Sequence, residues 1–447
     1  MLPPQEQALK KYRQSPTGLL VVHPTGSGKT RLALNATRGR KTSVVGTASL
    51  KKNFEQEEQK AFGTKSSRTT STFAAISRGN KLPGGDALVI DESQYIRNPE
   101  TKAFSNILKQ RQKYRKALLL SATPMYNEAS DLATQVNLAA NKPLVPMDKE
   151  RFNKMFFEDK KVSVPFFARI TGVKPGDVKQ LKNRAYLKNV VKPYVHVAKT
   201  QQFKGLIPHS SREIVSVEMG PRQAKLYKYL NKQIPRSVRY KIEKNLPPSK
   251  QERPSLNAFM SGLRQVSNTT APYVKNPAKA ESTKLDKVVK DMTEELARGG
   301  KVLAYSNYIG AGIEPLSRRL KALGIKHSVL TGEMSGPNRL DQIKQYNSGK
   351  VKAFLYSGAG SEGLNLPKTS LVQLVEPHWN KSRLDQAAAR GIRRGDDPSK
   401  TVKVKTYVST LPKSFFSGHA PVSSGQYLMS MSRRKQDEIN QVLEALR

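Results

Sequence analysis

Cysteine is absent from this chain of 447 residues, which excludes disulfides, thiolate zinc sites and cysteine nucleophiles. Acidic residues are scarce. Asp and Glu total 35 against 78 Lys and Arg, a formal charge of +43 that implies strong self-repulsion unless a polyanion is near. Nucleic acid is the leading partner on that balance, and a generally basic solubilising surface is the plainer alternative. Long apolar runs are also missing. None approaches the ~18 residues of a membrane span, and the opening MLPPQEQALKKY has no hydrophobic centre for a secretory leader. The expectation is a protein without a membrane partner, acting inside a cell, in cytoplasm or nucleus. The six histidines (23, 196, 209, 327, 378 and 419) show no ligand spacing and read as structural or surface groups.

What is present is a composition of 37% hydrophobic and 25% charged residues, that of a folding globular chain. At roughly 150 residues per domain, its length suggests about three compact units. Short apolar runs recur in the first third: GLLVV (18–22), SVVG (43–46), ALVI (87–90) and ALLL (117–120), with a helical stretch near 29–38. They are too short for helices and too uniformly apolar for half-exposed strands, so they predict central strands of a parallel sheet covered on both faces. From about 145 to 275 the pattern turns to lysine-rich helical segments with few strand signals. Within it, residues 178–212 contain no Asp or Glu. Alternation resumes with KVLAYS (301–306), HSVLTG (327–332), VKAFLYS (351–357), SLVQLV (370–375) and TVKVKTYV (401–408). The organisation predicted is α/β: a first lobe over 1–145, basic helical insertions over 146–280, and a second lobe over 281–447 ending in an amphipathic helix that packs back on a lobe.

The stretch VVHPTGSGKT (21–30) follows a predicted strand and opens a predicted helix. In that setting, backbone N–H groups of Thr25, Gly26, Ser27 and Gly28 can wrap phosphates, Lys29 can neutralise them, and the Thr30 hydroxyl can ligate Mg²⁺. The strict phosphate-loop pattern fails at its first position, where His23 replaces glycine. Asp91 and Glu92 follow ALVI at the carboxyl end of a buried strand, where ligands of open α/β sheets gather. Asp91 would hold Mg²⁺ and Glu92 would orient or deprotonate the attacking water. Alone, such a pair more often marks a solvated strand end. Joined to the loop upstream and to SATP (121–124), it points to ATP hydrolysis.

In WNKSRLDQAAARGIRRG (379–395), Asn380 can cap a helix and Gly395 can end it. Gln386, Arg390 and Arg393 then fall at i, i+4 and i+7 on one face, a fork for a phosphate group. A surface helix with unrelated arginines is the plainer reading.

The order GSGKT, DESQ, SATP resembles the first lobe of superfamily-two helicases and translocases. VIDESQYIRNPETKAFSNIL and LLLSATPMYNEASDLATQVNLA are similar to the Swi/Snf-type ATPases within it, as are IPHSSREIVSVEMGPRQAKLYKYL (207–230) and LNAFMSGLRQVSN (256–268). The resemblance implies two RecA-like parallel-sheet lobes using ATP and Mg²⁺, with Gln5 reading adenine. It also implies Arg390 and Arg393 reaching the γ-phosphate on lobe closure, with Gln386, Gly363 and Asn365 at the same site. SGAGSEGLNL (357–366) resembles the loop that couples nucleotide state to DNA grip, although Gly358 stands where many relatives have arginine or lysine. Loops after the strands would meet the nucleic-acid backbone through Ser49, Lys51, Ser306, Asn307, Thr331, Gly332 and Ser357, contacts that carry no base specificity.

GSEGLNLP with VEPHWN also looks like ATPases of large DNA viruses, which would place the chain in a host cell or virion. The function implied is a monomeric, DNA-dependent ATPase translocating on double-stranded or branched DNA, with a protein partner for recruitment. Alternatives are a strand-separating or branch-migrating helicase, an RNA-directed motor, or a non-catalytic basic scaffold. Branch migration, displacement of bound proteins and transcription release all use such a motor.

Overall fold

In the computed structural model the described residues are all but 49, 64–67, 171–172, 204–207, 250, 333, 335, 359–363, 393–396, 398 and 414–419, with the side chains of 50–53, 278 and 336 also outside the description. In chain order the strands are β1 Gly18–Val22, β2 Thr42–Gly46, β3 Thr69–Thr72, β4 Gly85–Asp91, β5 Tyr114–Ser121, β6 Phe157–Val162, β7 Gly176–Leu181, β8 Val195–Val197, β9 His209–Glu218, β10 Val302–Ser306, β11 His327–Leu330, β12 Ala353–Ser357, β13 Leu371–Leu374 and β14 Thr401–Thr410. They build two six-stranded parallel sheets, in the orders β3-β2-β4-β5-β1-β8 and β11-β12-β10-β13-β14-β9, and the pair β6-β7.

The uniformly apolar runs follow from burial on both faces. In the first sheet Leu20, Val22, Leu88, Ile90 and Leu119 point into one core. The alternate residues Leu19, Val21, Val89, Leu118 and Leu120 point into another, shared with Ala8, Leu9 and Tyr12 of the helix Pro3–Gln14. The second sheet repeats the plan: Leu303, Tyr305, Phe354 and Val372 face one way, Val302, Ala304, Leu355 and Leu371 the other. A strand buried on two sides has no position that can be polar without a partner.

The chain divides into two compact units, one of Met1–Glu158, Lys179–Leu206 and Lys435–Arg447, the other of Asp159–Val178 and Ile207–Arg434. Segment 146–280 is therefore shared between them. It also holds more strand than its sequence suggests, because β8 extends the first sheet beside β1 and β9 extends the second beside β14. The final helix, Ser424–Leu446, gives Ile439, Val442 and Leu446 to the core of the first unit and Tyr427, Leu428 and Met431 to a core of the second. Among the described residues no helix is long and apolar enough to cross a membrane.

Candidate ATP site and nucleic-acid loops

In the first unit the glycine loop leaves β1 and enters the helix Lys29–Ala36. Gly26 at φ 79° and Gly28 at φ 77° are both left-handed, a conformation that costs a side-chain-bearing residue about 1 kcal/mol or more. Gly28 is the residue preceding the helix, so its turn aims the first free N–H groups of that helix at the loop. Lys29 Nζ donates to the carbonyls of His23 and Pro24, each at 3.2 Å. Burial lowers its pKa, and the charges of Glu92 and Asp91 oppose that shift. The Ser27 hydroxyl is buried with no hydrogen-bond partner among the described residues, an orphan that a phosphate oxygen would satisfy. Gln5 sits against this loop, its Nε2 donating to Ser27 O at 2.7 Å and Gly28 O at 3.1 Å.

His23, the departure from the glycine pattern, is only 1% exposed. Its Nε2 shares a 2.9 Å hydrogen bond with Nδ1 of His196 on β8, and its ring packs on Phe203. A side chain at this loop position is tolerated because β8 supplies a wall for it. Burial pushes His23 down to about 3, helped by the His196 and Lys29 charges, and His196 down to about 4, helped by Lys11. Both imidazoles are neutral at ordinary pH.

Asp91 closes β4, and Glu92 follows it in the left-handed region at φ 53°, a strained backbone for a residue with a side chain. Burial raises the Asp91 pKa, with the neighbouring Glu92 charge adding to it and Lys29 opposing. A divalent cation beside the two carboxylates would relieve that penalty, so the donor set fits Mg²⁺.

Two residues not singled out in the sequence hold Glu92. Gln94 Nε2 donates to its Oε2 at 2.7 Å, and Ser121 Oγ donates to Gln94 Oε1 at 2.7 Å, fixing which way the amide faces. Ser121 also accepts Thr123 N through Oγ and His23 N through its carbonyl. Motifs 30 residues apart in sequence are thus one hydrogen-bonded unit. The signal was in the strings DESQ and SATP, where the roles of Gln and Ser were unassigned.

In the second unit Asn380 does cap a helix, accepting Ser382 N at 2.9 Å, but that helix runs only Lys381–Ala388. Gln386 lies on it. Arg390 lies in the following turn, its carbonyl accepting Leu366 N at 3.1 Å, so the expected helical face does not extend to it. Arg393 and Gly395, like Gly363 of the coupling loop, lie outside the described residues. Asn365 is exposed, and its carbonyl accepts Asn347 Nδ2.

Gly358 has an occupant where its side chain would project: a Cβ there would lie 2.2 Å from Arg383 Nη2. Arg383 Nε donates to Tyr305 OH, which donates to Asn307 Oδ1. A guanidinium borrowed from the next helix stands over the position that lacks its own cation.

The expected nucleic-acid contacts divide. Ser306 is 0% and Ser357 4% exposed, so neither presents a hydroxyl to solvent, contrary to expectation. They are paired ends of the central strands β10 and β12, and Gly312 closes over Ser306, where a Cβ would meet Oγ at 2.1 Å. Ser306 Oγ donates instead to buried Glu376 at 2.9 Å, which also accepts from Asn307 N, Asn307 Nδ2 and Asn268 Nδ2. Thr331 is half-buried and Gly332 exposed after β11. Lys51 lies in the helix Leu50–Phe62, and Ser49 is outside the described residues.

A parallel sheet carrying a glycine loop on one strand end and an acidic pair on another is the build of a nucleoside-triphosphate hydrolase. Comparison with known proteins narrows this. Residues 68–271 match the SNF2-related domain and residues 283–395 the helicase conserved C-terminal domain. The chain is 28% identical over 450 residues to a protein of Acanthamoeba polyphaga mimivirus named as an ATP-dependent RNA helicase, covering 96% of this chain and 92% of that one. It is 23% identical to the termination factor NPH-I homolog of African swine fever virus, covering 89% and 70%. Among solved structures, a Sulfolobus solfataricus SWI2/SNF2 ATPase core in complex with dsDNA aligns over 91% of this chain and 87% of that chain, at 20% identity and a TM-score of 0.38. The chain thus carries an SNF2-related domain followed by a helicase conserved C-terminal domain, the pairing of a helicase-like ATPase.

Proposed function

We propose that this chain couples ATP hydrolysis to sequence-independent translocation along duplex DNA. The observation carrying the reading is the cluster of the left-handed glycine loop, the orphan Ser27 hydroxyl and Lys29 with the paired carboxylates of Asp91 and Glu92. Lys29 exchanges its two carbonyl partners for phosphate oxygens, a stronger charge-assisted pairing. Thr30 and Asp91 would hold Mg²⁺, which neutralises charge on the phosphates when bound. Glu92, held by Gln94, accepts a proton from the attacking water. Gln5 meets the adenine from its seat on the loop, while Arg390 and Arg393 act on the γ-phosphate. Thr331, Gly332, Lys51 and Asn307 remain the proposed backbone contacts. The charge of +43 supports a polyphosphate track.

An RNA-directed motor is the second reading, favoured by the name of the mimivirus relative. Release of a transcript is one task of such a motor and agrees with the name of the swine fever virus relatives. ATPase rates with linear duplex DNA, forked and four-way DNA, single-stranded DNA and RNA separate the readings, with triplex displacement reporting translocation. Duplex DNA should stimulate most and displace the third strand, and Lys29→Ala should abolish stimulated phosphate release. Stimulation by RNA alone, or unchanged release in Lys29→Ala, would overturn the proposal.

A further inference from the structure

Residues Lys179–Leu206 fold with the first unit, and they belong to the acid-free basic stretch 178–212 whose composition suggests that it lies on DNA through Lys182 and Lys188. Their helix, Arg184–Val191, buries Leu187 and Val191 completely and leaves Lys188 exposed. Lys188, Asn189, Lys192 and Pro193, with Lys11 from the helix Pro3–Gln14, line a shallow, open hollow of about 300 Å³ on the surface. Three of these five residues are lysines and none is acidic. Lys11 Nζ is held by the carbonyls of Lys192 at 2.7 Å and Val195 at 2.9 Å, so one cation of the three is fixed in place. Burial and then the Lys192 charge lower the Lys11 pKa, so these two cations bear on one another, a repulsion of ~1 kcal/mol per close pair in water. An anion removes that cost.

Lys11 is tied to the strand that borders the nucleotide loop. The carbonyl of Val195 that holds Lys11 belongs to β8, which pairs Leu20 with Val195, Val21 with His196 and Val22 with Val197. Ala198 N donates to Val22 O at 3.0 Å, and His196 meets His23 at the first position of the loop. Two strands and one imidazole pair separate the lysines from the residues that face phosphate.

We propose that Lys11, Lys188 and Lys192 form a second anion site, one for the phosphodiester backbone of nucleic acid, joined through β8 and His196 to the phosphate loop. The proposal rests on the reading of the chain as a nucleic-acid-dependent ATPase, and adds where one stretch of the polymer lies and how its presence reaches the nucleotide. Coupling of this kind is reciprocal: backbone bound at the lysines alters nucleotide affinity by the same factor as nucleotide alters backbone affinity.

Binding of a fluorescent duplex to the full chain over a salt series tests it. In the double variant Lys188→Glu, Lys192→Glu the slope of log affinity against log salt should fall by about 1.8, two neutralised phosphates at ~0.9 each, with affinity roughly tenfold or more weaker at low salt. Lys188→Gln with Lys192→Gln, which removes charge without reversing it, should show the same loss of slope, and circular dichroism checks that both variants fold. Saturating duplex should shift ATP-analogue affinity in the wild type and leave it unmoved in the variants. An unchanged slope in both variants, or variants that lose only inorganic tripolyphosphate binding measured by calorimetry, would overturn the site as a nucleic-acid site. A lost slope without any change in ATP-analogue affinity in the wild type would overturn its link to the loop. Should wild-type ATPase ignore duplex while the variants still lose slope, the motor reading fails and the anion site stands.

Discussion

At the first position of the phosphate loop, His23 exchanges backbone freedom for a packed contact, and the exchange has a pH signature. His23 and His196 are held down to about 3 and about 4 by burial, against an unfolded value near 6.5. Above pH ~6.5 neither state binds these protons. As pH falls below it the unfolded chain takes them up first, so stability present at neutral pH is lost on the way to pH 4, by up to ~1.4 kcal/mol per pH unit for each imidazole. The melting temperature of His196→Gln should therefore fall less steeply than the wild type's between pH 6.5 and 4.5. Parallel curves would show that these rings are not the source of acid sensitivity. At the same scale, Gln94 and Ser121 determine where the Glu92 carboxylate points, and Arg383 fills the space above Gly358.

At the scale of elements, the helix Lys381–Ala388 stops short for a packing reason. Ala387 and Ala388 are buried, and the chain then turns at Gly391 so closely over β10 that a Cβ would lie 2.8 Å from Leu303 Cδ1 and 3.0 Å from Thr369 Cβ. The Arg390 carbonyl is tied in the same turn to Leu366 N. Gly391→Ala should destabilise the second unit by ~1–3 kcal/mol through overpacking and reduce stimulated ATPase by moving Arg390. A thermal melt and a steady-state assay check the two effects, and normal values of both would mean that the turn relaxes without cost. β8 is the other instructive element. Its three residues, Val195–Val197, are too short a run to predict a strand alone, and β1 recruits them.

At the scale of the whole molecule, the basic surplus is not all surface. Arg111 is 1% exposed with its guanidinium on the carbonyls of Leu138, Tyr114 and Thr17, and Lys241 and Lys284 are equally hidden. Formal charge thus overstates what a polyanion meets. Arg390, in the second unit, is the arginine proposed to act on the γ-phosphate. Arg390→Ala should keep ATP-analogue binding while stimulated turnover falls by about 10³-fold or more, the range of an arginine finger. Lost nucleotide affinity with undiminished turnover would remove that role.

The sequence by itself determined the central strands of two sheets, the strand on which each motif ends and the glycine loop, because strands buried on both faces must be apolar and left-handed turns favour glycine. GLLVV, ALVI and KVLAYS could hardly be anything else. Tertiary structure decided what depends on partners distant in the chain: that His23 meets His196, that Ser306 and Ser357 are buried at their strand ends, that Arg383 stands over Gly358, and that Lys11 joins Lys188 and Lys192 at one hollow. Such contacts are fixed by packing between segments, and local periodicity carries no record of which segment arrives opposite.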